Sequence, residues 1–68
     1  MKIVIYDWMG GSLLKGTKYT HDQVIEGTED EALVIVADLF KYGRNVMVAR
    51  NSQGGIDVCV DSKRFTQR

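Results

Sequence analysis

Sixty-eight residues with a formal net charge of zero and a single cysteine, Cys59, make one small domain and exclude several classes at once. An intrachain disulfide is impossible, a structural zinc is nearly excluded because His21 and Cys59 are the only soft ligands, and no apolar run approaches the roughly 20 residues of a membrane span. A chain this short buries only about 60% of the surface its unfolded form exposes, so a second copy or another partner is the stabilising device left open.

Ile3-Val4-Ile5-Tyr6 is a β-branched and aromatic run, and it predicts a first strand extending to Trp8. The apolar start is too short for a secretory leader, since Asp7 follows at once. With the lone cysteine this gives the expectation of a cytoplasmic setting. Gly10-Gly11-Ser12 signals a turn. In the stretch from Leu13 to Ile25, Thr17, Tyr19, Thr20, Val24 and Ile25 favour a hairpin partner for the first strand, with Gly16 marking a bulge or bend.

Thr28-Glu29-Asp30-Glu31 is a capping box, and Gly43 stands where a left-handed cap is wanted, so the pattern predicts a helix over 29–42. A helical wheel gathers Ala32, Leu33, Val36, Leu39 and Phe40 on one side, with Ala37 at its edge. Asp30, Glu31, Asp38 and Lys41 fall opposite, Val34 lands among them, and Ile35 and Tyr42 sit on the boundary. The runs 45–50 and 56–61 predict two strands joined by the loop 51–55. In them Val46, Val48, Ile56, Val58 and Val60 should face inward and Met47, Ala49, Asp57, Cys59 and Asp61 outward. The expected fold is α+β, a single domain over 1–61 of order β-β-α-β-β, with a mainly antiparallel four-stranded sheet and one helix on one face. Residues 62–68 form a polar basic tail expected to fray.

One helix cannot cover both faces of a sheet. The uncovered face would carry Met47, Ala49, Cys59 and one parity of the first strand, an apolar surface that calls for a partner unless the stretch 13–26 folds over it.

No set of residues assembles a reaction. His21 and Asp22 would point to opposite faces of a strand, and Cys59 lies between Asp57 and Asp61, whose charge opposes thiolate formation. The glycine pairs lack the follow-on residues of a phosphate cradle. Asp22, Glu26, Glu29, Asp30 and Glu31 read as an acidic cluster at the helix start, partly explained by the helix dipole. No cofactor or metal is expected.

Charge divides along the chain. Residues 1–40 hold three basic and seven acidic side chains, and residues 41–68 hold six basic and two acidic. The leading expectation is a non-enzymatic protein-binding module whose partner site is Trp8, Asp22, Glu26, Asp30, Glu31 and Tyr42. The second is a nucleic-acid binder using Lys41, Arg44, Arg50, Lys63, Arg64 and Arg68. The third is a homodimer paired through its open sheet faces.

In its single tiny domain, split charge, surplus aromatics and missing catalytic set, the whole chain resembles small phage-encoded inhibitors, including anti-CRISPR and antitoxin-like proteins. The resemblance implies an inhibitor that covers a surface of a host or defence protein, in the host cytoplasm. It carries no motif that transfers a residue role.

Overall fold

In the computed structural model, which describes residues 1–61, a four-stranded sheet carries one helix on one face. The elements are β1 (Lys2–Asp7), β2 (Gln23–Glu26), α1 (Glu29–Lys41), β3 (Asn45–Arg50) and β4 (Ile56–Asp61). The expected α+β order β-β-α-β-β is the order observed. Spatially the strands run β2-β1-β4-β3. The two hairpin pairs are antiparallel, and the central pair β1–β4 is parallel, so the sheet is mixed. The tail residues Lys63, Arg64 and Arg68, and the expectation that they fray, lie outside the described residues.

Local chemistry accounts for the helix. The Thr28 hydroxyl accepts from the Glu31 N–H at 3.2 Å, and the Glu31 carboxylate accepts from the Thr28 N–H at 2.7 Å. The acids Glu29, Asp30 and Glu31 sit at the positive end of the helix dipole. Gly43, at φ +82°, then takes the left-handed conformation that ends α1 after Tyr42 and turns the chain into β3.

The core lies between α1 and the sheet. β1 contributes Ile3 and Ile5, β4 contributes Ile56, Val58 and Val60, and α1 contributes Ala32, Ile35 and Leu39. Leu14 and Tyr19, from the long connection after β1, complete it. Tyr19 lines a shallow depression with Gln23, Ile25, Val34 and Ile35, so the connection fills the β2 side of the helix layer rather than folding over the opposite sheet face.

This filling corrects the helical wheel. Leu14 and Tyr19 join the core, Tyr19 beside Ile35, and α1 packs against β3 and β4. The buried stripe is Ala32, Ile35 and Leu39, with Val36 partly buried. Leu33 and Phe40, expected inside, are exposed, Phe40 by 72%. Val48 faces the helix side opposite Val58 but stays exposed, because β3 is an edge strand. β1 ends at Asp7 rather than Trp8.

The end of β1 has a chemical cause. The Asp7 side chain is fully buried, and its carboxylate accepts from the backbone N–H groups of Met9, Leu13 and Leu14. One carboxylate thus organises the turn 8–14 and seats Leu14 in the core. Arg44 holds the same connection from the other side: Nε donates to the Leu13 carbonyl, one terminal nitrogen to Lys15 and the other to Tyr42. At the opposite end, a Cβ on Gly55 would lie 2.6 Å from the Lys2 carbonyl oxygen, so only glycine lets β4 start this close to β1.

Candidate functional site

Among the described residues, none covers the sheet face away from α1. Alternation along each strand turns Val4 and Tyr6 of β1, Val24 of β2, Met47 and Ala49 of β3, and Cys59 of β4 to that face. The registers set them in two rows. Val24, Val4, Asp57 and Ala49 stand across one rung, and Tyr6, Cys59 and Met47 across another. Tyr6, Val24, Ala49 and Met47 are exposed, and Val4 and Cys59 are partly so. His21 extends the second row, its ring 6.5 Å from that of Tyr6 in an edge-on arrangement. The choice between the two apolar parities of β1 is thereby made: Ile3 and Ile5 face the core, and Val4 and Tyr6 face outward.

The residues expected to form a partner site do not converge. Trp8 directly follows β1 and is 63% exposed. Tyr42 lies at this same end, since Arg44 ties its carbonyl to the Leu13–Lys15 segment. Asp22 is here too, its N–H donating to the Ile5 carbonyl. Glu26, Asp30 and Glu31 stand at the other end of the strands, where Gly27 donates to the Met1 carbonyl. Asp22 is therefore no part of the acidic cluster at the helix start. Glu31 is occupied by the capping box, and Glu26 lies 3.6 Å from the N-terminal ammonium. An aromatic end and an acidic end stand in place of a single partner site.

The described members of the basic set, Lys41, Arg44 and Arg50, are also divided. The Arg44 guanidinium is spent on three backbone carbonyls. Arg50 pairs with Glu29. Lys41 acts electrostatically on Asp38. Trp8, Met9, Tyr6 and Met47 are all surface residues, none of them in the core.

His21 and Asp22 differ from the strand expectation. They precede β2 in a turn, and Asp22 has φ +62°, which brings its Oδ2 to 3.3 Å from His21 Nε2. His21 Nδ1 accepts from the Asp7 N–H at 3.1 Å. Both ring nitrogens are thus engaged in holding the connection to β1. Burial, then the charges of Asp57 and Asp61, push the Cys59 thiol up from its ordinary pKa, which disfavours the reactive thiolate.

Sequence reasoning missed one polar pair. The Tyr19 hydroxyl donates to Asp38 Oδ2 at 2.8 Å, with Lys18 Nζ 3.2 Å from the same oxygen. The Tyr19 bond and then Lys18 hold the Asp38 carboxyl below its usual value of 3.8. Burial, then Asp38 itself, push the Tyr19 phenol up to about 12. A depressed carboxyl favours the folded state above its unfolded pKa, and that contribution is lost as pH falls below 3.8. Tyr19→Phe is therefore expected to flatten the acid limb of the stability profile below pH 3.8. Urea titrations across that limb check it, and an unchanged limb would remove Asp38 from the acid response.

Comparison of the chain with protein-family models, with curated proteins and with solved structures finds no match in any of the three.

Proposed function

We propose that this chain is a non-enzymatic protein-binding module that acts as an inhibitor, covering a surface of its partner. The observation that carries the reading is the open sheet face, where Val4, Tyr6, Val24 and Met47 form an apolar surface on a domain with little apolar area to spare. Tyrosine and methionine are among the residue types enriched in protein interfaces. Trp8, at the end of β1, supplies a further exposed aromatic anchor. Asp57 and Lys2 at this face, with the acidic end around Glu26 and Asp30, would steer encounter rather than supply affinity. The resemblance to small phage-encoded inhibitors points to a host or defence protein, such as a CRISPR effector, as the partner class.

The nucleic-acid reading draws less support. Arg44 and Arg50 hold the fold's own carbonyls and carboxylate, and a binding surface built on them would have to give up those contacts. Capture from a cell lysate with and without nuclease separates the two. A defined protein partner retained after nuclease is the expected result, and loss of all bound material would transfer the reading to nucleic acid.

A further inference from the structure

We propose that a second copy of this chain pairs with the first along the outer edge of β3 at Val46 and Val48, joining two sheets into one eight-stranded sheet with the two α1 helices side by side.

The two edges of the sheet are unequal. β2 is four residues long and ends in Glu26. β3 is six residues long, and Val46, Met47, Val48 and Ala49 run through it with no proline, no bulge and no charge until Arg50. Exposed edges are normally shortened, charged or bulged to prevent pairing. β3 has none of these guards along its middle. The Asn51 N–H donates to the Gly55 carbonyl at 3.0 Å, which sets the phase of the β3–β4 ladder. Asn45, Met47 and Ala49 therefore turn their backbone groups to β4, and Val46, Val48 and Arg50 turn theirs outward.

An apolar stripe overhangs this same edge. Leu33 forms a groove with Val48, Ala49 and Arg50, which identifies the flank of α1 that faces β3. Leu33, Ala37 and Phe40 recur on that flank at helical spacing, all exposed, with Val36 partly buried beside them. The helix is apolar over a wider arc than its own core uses.

A second copy fits both features, and a single foreign strand fits only one. An added strand would satisfy Val46 and Val48 but leave Leu33, Ala37 and Phe40 in water. Stable interfaces bury about 800 Å² per partner, more than a strand edge supplies. Because α1 packs over β3 and β4, its axis lies about one strand spacing from the proposed two-fold axis. Two such helices would stand about 10 Å apart, close to the 8–10 Å at which helices pack. With Met47 at the axis, Val46 stands opposite the partner's Val48, so the outward backbone groups pair reciprocally, as a two-fold interface requires. The helices then run antiparallel, and the basic last turn with Lys41 lies along the acidic first turn with Glu29 and Asp30. Charge complementarity follows from the symmetry, in a chain whose net charge is zero.

Sedimentation equilibrium tests this. The parent chain is expected at twice its 7.7 kDa mass. Leu33→Asp with Phe40→Asp is expected to raise the dimer dissociation constant by about tenfold or more, with unchanged circular dichroism because both side chains are exposed. Lys41→Glu and Asp30→Lys should each weaken self-association. Mixing those two variants should restore it, since each cross-pair then matches opposite charges. A monomeric parent at every concentration, a dimer indifferent to the Leu33 and Phe40 changes, or a mixture no tighter than its components would overturn the proposal. A dimer broken by Tyr6→Lys instead would place the contact on the open face and equally overturn it.

Discussion

Asp7→Ala is expected to cost about 3–5 kcal/mol of stability, because three backbone donors lose a charged acceptor inside the fold. A domain of this size has about 3–10 kcal/mol in total, so the variant should be partly unfolded at room temperature. The loss should begin at one place. The N–H groups of Leu13 and Leu14 converge on one carboxylate oxygen, and Leu14 is part of the core. Without that oxygen the turn no longer delivers Leu14, and the core loses one of its buried side chains. Asp7→Asn is the informative companion: it keeps the volume and one acceptor oxygen, and should cost clearly less. Urea denaturation measures both losses, and amide exchange at Leu13 and Leu14 reports where they start. A stable Asp7→Ala protein with protected Leu13 and Leu14 amides would mean that Gly10, Gly11 and Arg44 shape the turn without the carboxylate.

Leu39→Ala should cost about 2–5 kcal/mol, the usual range for emptying a fully buried leucine site. Phe40→Ala, one residue on and removing a larger side chain, should change the stability of the monomer by less than about 0.5 kcal/mol. Leu39 has no exposed surface, and Phe40 has most of its own in water. The comparison belongs in dilute solution, where self-association contributes nothing. The pair discriminates sharply, because the wheel placed both residues on the buried side and the fold accepts only one. Equal losses in dilute solution would mean that α1 is rotated toward Phe40 and that the stripe beside β3 is not exposed.

Much of the architecture was legible because it rests on local chemistry. The Thr28–Glu31 box and Gly43 frame α1 to within a residue. The alternation Ile56, Val58, Val60 fixes which face of β4 is buried. The rotation of α1 was not legible, because its cause is non-local. Leu14 and Tyr19 arrive from a stretch with neither helical nor strand period, and they occupy one flank of the helix layer. The parity of β1 was hidden for a similar reason, since both of its faces are apolar and only packing distinguishes Ile5 from Tyr6. The expectation that β1 runs on to Trp8 hid the role of Asp7. An aspartate two residues ahead of Met9 and just before a double glycine is the sequence mark of a carboxylate that caps its own turn.

The candidate surface was legible in outline only. Met47, Ala49 and Cys59 were placed on an open face by alternation, and the structure adds Val4, Tyr6 and Val24 through the registers of β1 and β2. The acidic cluster lost Asp22 because proximity in sequence to the helix start is not proximity in space. Glu31 serves the capping box, so reversing Asp30 and Glu31 together would also disturb α1. Surface tests therefore belong on the sheet.

The most direct measurement is capture of partner from nuclease-treated lysate by the parent chain and by a Tyr6→Lys, Val24→Lys variant. Both side chains are exposed on the open face and away from the β3 edge, so the variant should fold and self-associate as the parent does. Loss of the partner from the variant, with the fold retained by circular dichroism, is the result expected if the open face is the binding surface. Undiminished capture by the folded variant would contradict it.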